Sequence, residues 1–388
     1  MKVEQFAMER MQSTFENQVE VNLSESGVSP LTLGELVDEG TYRDALLAES
    51  LRYTQSNGTI PLRAAIAALY PGATPDHVEV TNGGSEANYI VTWNFVDPGD
   101  EVVMMVPNYM QTWGLARAFG ARLREWPLVW TERPAEWRVD LDMLDALVSS
   151  RTKLIVICNP DNPTGARFGE RDLDRIAAIA DRHGAWIVSD EIYRGAERDG
   201  RDTPTMWGRS ARVIVTSGLS KAYGLPGLRI GWIVGPPSRM TSLWSYHDYT
   251  TISPGALSDA LARHALEPAR RRRILERTRR ILSENFPIVA GWLDARGGLF
   301  HYAPPDAGAI VYVRYDAPIN STALVTRLRV EKSVLIVPGD HFGMDRYLRI
   351  GFGDDPSRLR EGLNRLGDLF DEIVKTGKME LDTEAHQA

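Results

Sequence analysis

The sequence has little cysteine and no excess of positive charge. Cys158 is the only cysteine among 388 residues, which excludes an internal disulfide framework and a zinc site of the Cys-x-x-Cys type. The 52 acidic residues outnumber the 44 basic ones, and the formal net charge is -8. A surface that binds nucleic acid is therefore not expected, because such surfaces carry clustered positive charge.

Long apolar runs and metal-binding patterns are also missing. No uninterrupted apolar stretch approaches the roughly 20 residues that a membrane-spanning helix needs. Residues 1–12 mix acidic and basic side chains and lack the apolar core of a signal peptide. The seven histidines form no pair at the spacing of metal ligands. We therefore expect a cytoplasmic protein that binds neither a membrane nor a metal ion.

The composition and the patterning are those of a large α/β enzyme. With 43% hydrophobic and 25% charged residues, the chain can bury a sizeable core, and its length suits two packed domains. From about residue 77, amphipathic stretches alternate with short apolar runs such as EVVMMV, TKLIVICN, AWIVSD and ARVIVTS. Apolar residues at successive positions are typical of strands buried on both faces, which predicts a largely parallel sheet wrapped by helices. In such sheets, functional residues collect at the carboxyl edge of the strands.

The pattern changes in the last third of the chain. A helical pattern extends from Pro254 to about Asn285, with an expected break near Pro268, and after residues 297–298 the sequence indicates a smaller α+β unit. The predicted divisions are an N-terminal arm that includes part of the small domain (1–45), a large domain (46–285), a small C-terminal domain (286–378) and a tail (379–388).

The most informative stretch is SGLSKAYGLPGLRIGW, residues 217–232. Lys221 follows a predicted strand, lies among small residues and precedes Arg229 by eight positions. An amine at the carboxyl edge of a sheet can condense with the carbonyl of a cofactor or a substrate when nearby positive charge lowers its pKa. The sequence therefore singles out Lys221 as a candidate nucleophile.

Further motifs follow the other predicted strands. They are TNGGSEA (residues 81–87), VPNY (residues 106–109), NPDNPTG (residues 159–165) and SDEIY (residues 189–193). Together with the lysine motif, and in this order, they resemble the class I/II aminotransferases, which depend on pyridoxal 5'-phosphate (PLP). The resemblance covers nearly the whole chain. It implies a PLP-dependent transferase fold of type I, an α/β fold in which the large domain has a mostly parallel seven-stranded sheet.

The resemblance assigns roles around the cofactor's ring. Lys221 forms a Schiff base with PLP and, once released, acts as a general base. Asp190 pairs with the pyridine nitrogen and keeps it protonated, so that the ring can withdraw electrons from the substrate. Tyr193 and Asn162 hydrogen-bond the phenolic oxygen, and Tyr109 stacks on the ring.

The resemblance also implies a phosphate site. Small residues before a helix leave backbone N–H groups free for an anion, and an arginine can pair with it through two hydrogen bonds. The residues assigned to this site or beside it are Gly83, Gly84, Ser85, Glu86, Ser220 and Arg229. One departure stands out: the family usually has a serine where this chain has Gly218, and either Ser217 or Ser220 could replace that contact.

Three more segments resemble the family's dimer and substrate contacts. YTQSNGTIPLRAAIA (residues 53–67) places Tyr53 against the partner subunit's phosphate, which implies a homodimer with shared active sites. YLRIGFG (residues 347–353) assigns Arg349 to the substrate α-carboxylate, next to Asn162. NLSESGV (residues 22–28) resembles the loop that closes over the substrate through Ser26 and Gly27, although the family usually has glycine where Ser26 stands.

The function implied first is transamination, in which the amino group of an L-amino acid passes to a 2-oxo acid. NLSESGV and SKAYGLPGLRIGW are also similar to segments of capreomycidine synthases, which dehydrate and cyclise a hydroxylated arginine. A PLP-dependent cyclase, lyase or oxidase that acts on arginine or hydroxyarginine is therefore the alternative, in which Glu16 and Glu25 could bind the guanidinium group. Transcription regulators with an aminotransferase-like domain are disfavoured, because residues 1–22 leave no room for a DNA-binding domain.

Overall fold

A computed structural model gives the structure of residues 2–37 and 40–377. The predicted tail, residues 379–388, lies outside these residues. The helices are α1 (Ala7–Phe15), α2 (Leu33–Leu36), α3 (Gly40–Leu47), α4 (Ile60–Ala67), α5 (Gly84–Phe95), α6 (Gln111–Ala118), α7 (Leu141–Leu147), α8 (Glu170–His183), α9 (Pro237–His247), α10 (Ala256–Ala265), α11 (Pro268–Asp294), α12 (Ser321–Lys332) and α13 (Pro356–Thr376). The strands are β1 (Val21–Asn22), β2 (Val78–Thr81), β3 (Glu101–Val106), β4 (Arg122–Pro127), β5 (Val129–Glu132), β6 (Ala135–Arg138), β7 (Thr152–Cys158), β8 (Trp186–Asp190), β9 (Val213–Gly218), β10 (Gly231–Val234), β11 (Phe300–Tyr302), β12 (Ile310–Tyr315), β13 (Val334–Leu335), β14 (Val337–Pro338) and β15 (Tyr347–Gly351).

The central sheet has the order β2-β10-β9-β8-β7-β3-β4, which makes seven strands within the part of the chain that the structure describes. Neighbouring strands from β9 to β4 run parallel, whereas β10 is antiparallel to both β9 and β2. The prediction of a mostly parallel sheet is confirmed, and the antiparallel direction of β10 is the feature that the apolar pattern did not reveal.

The strands are apolar at successive positions because each face of the sheet packs against a different hydrophobic cluster. In β3, Val103 and Met105 belong to the larger cluster, while Val102 and Met104 belong to the smaller one on the other face. All four side chains are fully buried. A polar side chain within such a strand would lose water without gaining a partner, so polar residues occur where the strands end.

Helix α8 shows how the helices cover this sheet. Its buried residues Leu173, Ile176 and Ala180 recur at intervals of three to four positions and form one apolar face. The Asp172 side chain accepts a hydrogen bond from the backbone N–H of Gly169 at the beginning of the helix. These local signals explain why residues 170–183 form a helix.

A second sheet lies in the C-terminal part of the chain, in the order β11-β12-β15-β14. The N-terminal strand β1 pairs with β13, and the chain continues along β15, where the Gly351 N–H donates to the Leu23 carbonyl. A Cβ atom at position 351 would lie 2.1 Å from the Glu25 carbonyl oxygen, so only glycine allows this approach. The division into domains stays a prediction, which the separate sheets favour.

One local prediction about the helices needs correction and another is confirmed. The helical pattern was expected to end near Asn285, but α11 continues to Asp294 and contains Pro287. It continues because Phe286, Val289 and Leu293 prolong its buried face, and this burial outweighs the missing backbone hydrogen bond of the proline. The expected break near Pro268 is confirmed, since α10 ends at Ala265 and α11 begins at Pro268.

None of the helices among the described residues is long and apolar enough to cross a membrane. Within the same residues, no group of three or more His, Cys, Asp or Glu side chains could hold a metal ion.

Candidate active site

A cavity of about 720 Å³ opens at the carboxyl edge of the central sheet, between the sheet, the beginning of α5 and the segment that follows β1. Most of the predicted site residues line it: Ser26, Gly27, Gly84, Ser85, Tyr109, Asn162, Asp190, Tyr193, Ser220, Lys221, Arg229 and Arg349. Gly83, Glu86 and Tyr53 are not among its lining residues. Residues far apart in sequence therefore meet at the edge that the strand pattern predicts.

Lys221 lies in the turn after β9, with its side chain 27% exposed and directed into the cavity. Its Nζ atom is 3.4 Å from Oε2 of Glu25, which belongs to the segment after β1. The positive charge of Lys221 lowers the pKa of Glu25, so this carboxylate stays ionised beside the amine. The structure thus adds a specific carboxylate neighbour to the predicted lysine.

Asp190, the last residue of β8, is fixed by two hydrogen bonds. Its Oδ2 accepts from Asn88 Nδ2 at 3.0 Å, and its Oδ1 accepts from the Ile192 N–H at 3.0 Å. Thr216 donates to Asn88 Oδ1 at 2.7 Å, which fixes the orientation of the Asn88 amide. Burial raises the pKa of Asp190, although both hydrogen bonds favour its charged form. A cationic group bound beside Asp190 would offset this cost of burial.

Asn88 is a site residue that the sequence analysis did not identify. It lies four positions after Gly84 in α5, so it is on the helix face that turns towards the cavity. Its spacing of one helical turn from Gly84 is the sequence feature that could have identified Asn88 as a site residue.

Arg349, in β15, is almost fully buried at 1% exposure. Its Nη1 donates to Asn162 Oδ1 at 3.0 Å and its Nη2 donates to the Ser24 carbonyl at 2.6 Å. Its Nε has no hydrogen-bond partner among the described residues. Burial lowers the pKa of Arg349, because the charged guanidinium loses its hydration. A bound carboxylate would stabilise this charge in place of water.

Tyr193 and Tyr109 both line the cavity. Tyr193 donates its hydroxyl to Ser26 Oγ at 2.8 Å, which ties the segment after β1 to the loop after β8. Tyr109 donates to Glu9 Oε1 at 2.9 Å, so helix α1 covers this side of the cavity. Burial raises the pKa of both phenols, which therefore remain protonated.

An anion could bind where α5 begins. The helix starts at Gly84, and the preceding Gly83 has a φ of 95°, a conformation that favours glycine. A Cβ atom on Gly83 would lie 2.3 Å from Nη2 of Arg229, which shows how closely the guanidinium approaches this turn. Free N–H groups at a helix N-terminus and an adjacent arginine form a site for a phosphate group.

The structure explains the glycine at position 218. A Cβ atom there would lie 2.8 Å from the Ile230 carbonyl oxygen and 3.0 Å from the Gly231 Cα. Of the two serines considered as replacements, Ser217 already donates to the Glu191 carbonyl, whereas Ser220 lines the cavity. Ser220 is therefore the better candidate for the missing contact.

Three carboxylates line the side of the cavity that faces α1: Glu9, Glu16 and Glu25. Burial, together with the negative charges of Glu25 and Glu9, raises the pKa of Glu16. Glu16 and Glu25 are predicted from the sequence, whereas Glu9 is not, because nothing in the local sequence shows that α1 folds over the cavity. Mutual repulsion among these groups makes this side of the cavity favourable for a cation.

Tyr53 lies outside the cavity, and its side chain is 82% exposed. Thr54, its neighbour, donates to the Pro254 carbonyl and so connects this segment to the residues before α10. The predicted contact of Tyr53 with a partner subunit stays a prediction.

Comparison with known proteins supports the relationship that the motifs indicate. The family described as aminotransferase class I and II matches residues 38–366. The chain is 35% identical over 370 residues to the capreomycidine synthase of Streptomyces vinaceus, and the match covers 90% of each chain. Among solved structures, a PLP-dependent aminotransferase from Streptococcus suis has a TM-score of 0.89 and 32% identity over 96% of this chain and 99% of its own. The PLP-dependent cyclase OrfR has a TM-score of 0.86 and 25% identity over 96% of this chain and 98% of its own. The predicted fold type I is confirmed.

Gly218→Ser tests whether the missing serine is excluded by packing. The new side chain would press against the Ile230 carbonyl, which also accepts a hydrogen bond from the Leu219 N–H. We expect a loss of about 1–3 kcal/mol in the free energy of unfolding, measured by chemical denaturation, and no gain in phosphate affinity. Gly227→Ser is the control, because a Cβ atom there meets no atom within 4 Å. Unchanged stability with tighter phosphate binding would contradict this explanation.

Proposed function

The chain belongs to the class I and II aminotransferase family, and we propose that it moves the amino group of an L-amino acid to a 2-oxo acid, with Lys221 as the reactive amine. Proteins of this family are PLP-dependent enzymes. The observation that carries the proposal is that one cavity is lined by an amine, a buried carboxylate and two arginines: Lys221, Asp190, Arg229 and Arg349.

The residues present fit PLP at each of its functional groups. The N-terminus of α5 and Arg229 would hold the phosphate, Asp190 would pair with the pyridine nitrogen, and Tyr193 and Asn162 would face the phenolic oxygen. The buried Asp190 carboxylate supports the assignment most directly, because burial raises its pKa and a cationic pyridine ring would offset the cost of keeping it charged. When bound, PLP supplies an electron-withdrawing ring that stabilises negative charge at the substrate's α-carbon.

Arg349 would bind and orient the substrate. Its planar guanidinium is held by Asn162 and the Ser24 carbonyl, and its unpartnered Nε leaves hydrogen-bonding capacity for an α-carboxylate. Binding at a buried, rigid arginine limits rotation of the substrate about its α-carbon. Arg349 thereby positions the α-hydrogen without taking part in its transfer.

Lys221 would move the proton. Its Nζ would take the proton from the substrate's α-carbon and deliver it to the aldehyde-derived carbon of the cofactor. In the second half of the reaction the same amine would carry a proton from that carbon to the α-carbon of the 2-oxo acid. Glu25, with Oε2 3.4 Å from Nζ, stabilises the ammonium form of the lysine between these steps. The segment after β1 covers the cavity and limits the access of water. Tyr193 holds this segment through Ser26, and Arg349 holds it through the Ser24 carbonyl.

A homodimer with shared active sites is part of the proposal. Two segments of the described chain, residues 47–60 and 249–257, meet where Thr54 donates to Pro254. They expose several large apolar side chains: Leu47, Leu51, Tyr53, Ile60, Tyr249, Ile252 and Leu257. Exposed apolar groups of this size favour burial against a partner, and a second copy would bring Tyr53 towards the neighbouring site.

The second candidate is cyclisation, elimination or oxidation of arginine or hydroxyarginine. The carboxylates of Glu9, Glu16 and Glu25 favour it, because a guanidinium side chain between them would relieve their repulsion. The 35% identity to a capreomycidine synthase supports the same candidate. Both functions use Lys221, Asp190 and Arg349 in the same roles, and they differ in what happens at the substrate's side chain.

Product analysis separates the two candidates. The purified holoenzyme is incubated with arginine, hydroxyarginine and a set of neutral and acidic amino acids, with and without 2-oxoglutarate, and products are identified by mass. Amino transfer that requires 2-oxoglutarate supports the first candidate. Loss of water or consumption of oxygen without 2-oxoglutarate supports the second, and no reaction at the α-carbon of any of these substrates contradicts both.

Lys221→Ala removes the reactive amine. We expect turnover to fall by several orders of magnitude and borohydride to trap no cofactor on the protein, while the fold is retained. Lys153→Ala is the control, since Lys153 lies in β7 outside the cavity lining. Turnover near that of the unchanged protein would refute the assignment of Lys221.

Asp190→Asn removes the negative charge but keeps the shape of the side chain. We expect exchange of the substrate's α-hydrogen with deuterated solvent, followed by NMR, to slow by orders of magnitude, because the pyridine nitrogen loses its anionic partner. Exchange at an unaltered rate would show that the pyridine nitrogen does not depend on Asp190.

Glu16→Gln distinguishes cationic from neutral substrates. If the carboxylates bind a guanidinium group, kcat/KM for arginine should fall about tenfold while values for neutral amino acids change little. Glu20→Gln is a matched control, because Glu20 pairs with Arg365 and does not line the cavity. An equal effect on arginine and on neutral substrates would argue against a role of Glu16 in recognising the side chain.

A further inference from the structure

A buried cluster of ionisable side chains lies behind the turn that begins α5, and the chemistry proposed above does not use it. His247, at the end of α9, is 0% exposed. Its Nδ1 is 2.9 Å from Oε1 of Glu79 in β2, and its Nε2 is 3.4 Å from Oε2 of Glu86 in the first turn of α5. Neither His247 nor the two glutamates line the cavity. Buried charges are costly unless they are paired, so these three groups form one unit.

The charge state of the cluster follows from its hydrogen bonds. Burial alone would lower the pKa of His247, but the hydrogen bonds to Glu79 and Glu86 outweigh it and raise the pKa to about 9. Burial would likewise raise the pKa of Glu86, but hydrogen bonds from His247 and neighbouring groups lower it to about 2. At neutral pH, His247 is therefore an imidazolium ion next to an ionised Glu86. Burial raises the pKa of the third group, Glu79, to about 7, so it carries only part of a negative charge.

Glu86 closes the turn in which Gly84 and Ser85 lie. Its Oε2 accepts a hydrogen bond from the Asn82 backbone N–H at 2.5 Å, so the side chain bridges the beginning and the end of the turn. This bridge fixes the direction of the free N–H groups at the start of α5. A negative charge so near an anion site would repel a phosphate, and the positive charge of His247 offsets that repulsion.

The same cluster holds the segment before α10. Thr251 donates its hydroxyl to Glu86 Oε1 at 2.7 Å and lies 3.2 Å from Nε2 of His247. The Asn82 side chain donates to Thr251 Oγ1 and to the Ser253 carbonyl. Residues 251–253 are thus attached to the turn at residues 82–86 through side chains that His247 organises.

We propose that His247 is a positioning residue for the phosphate of the cofactor. Held between Glu79 and Glu86, it fixes the turn at residues 82–86 and supplies a positive charge that compensates Glu86, so that the N-terminus of α5 and Arg229 together attract the anion. The inference rests on the proposed function, because it requires that PLP binds in this cavity.

The test separates phosphate affinity from overall stability. The cofactor-free protein is titrated with PLP and, in parallel, with pyridoxal, which has the same ring and aldehyde but no phosphate. His247→Gln keeps a polar side chain but removes the charge. We expect PLP to bind more weakly and pyridoxal to bind as before, so the dissociation constant for pyridoxal divided by that for PLP should fall about tenfold. His264→Gln is the matched control, since His264 is also buried and paired with a glutamate, but its partners are Glu267 and Tyr42.

Each outcome decides one question. A ratio that is unchanged in His247→Gln, or an equal loss of affinity for both ligands, would overturn the positioning role, because a merely structural histidine affects both alike. If His247→Gln does not fold, Thr251→Val replaces it, and we expect a smaller fall, roughly threefold, in the same ratio. If the protein without any substitution binds PLP no more tightly than pyridoxal, the proposed phosphate site itself is contradicted.

Discussion

The site depends on one constraint: the strands of the central sheet are buried on both faces, so polar side chains can be placed only where the strands end. The ends of three neighbouring strands, β7, β8 and β9, lie side by side. Cys158 is opposite Asp190, and Asp190 is opposite Thr216. The chain that leaves these ends carries Asn162, the Asp190 side chain and Lys221 into one cavity. The same burial that stabilises the fold thus concentrates the reactive groups.

Within the cavity, charges of opposite sign are separated in space. Arg229 and the beginning of α5 attract an anion at one end, Arg349 offers a second anion site, and Asp190 is a buried carboxylate that favours a cation. Among the described residues these three side chains hydrogen-bond other partners and not one another, so each can pair with a ligand group of opposite charge. The arrangement is understandable if a ligand with two separated anionic groups and one cationic ring nitrogen completes it.

The sequence predicted the strands, their carboxyl edge and most of the cavity lining, because these depend on local patterns and on motifs of known order. It did not predict the contacts that depend on distant segments. Asn88 acquires its role only when Thr216 and Asp190 approach it, and Glu9 acquires its role only when α1 folds over Tyr109. The pairing of His247 with Glu79 joins residues 168 positions apart, and no local signal announces it.

The choice between the two candidate reactions would depend on residues that face the substrate's side chain. In both proposals Lys221, Asp190 and Arg349 serve activation of the α-carbon, a step that transamination, elimination and cyclisation share. Under these proposals the two reactions would differ beyond the α-carbon, on the side of the cavity that Glu9, Glu16 and Glu25 line. Because Glu25 also contacts Lys221, a cationic side chain bound there would compete with the lysine for this carboxylate. In the second candidate function, the carboxylates that bind the substrate's side chain would therefore also change the surroundings of the Lys221 amine.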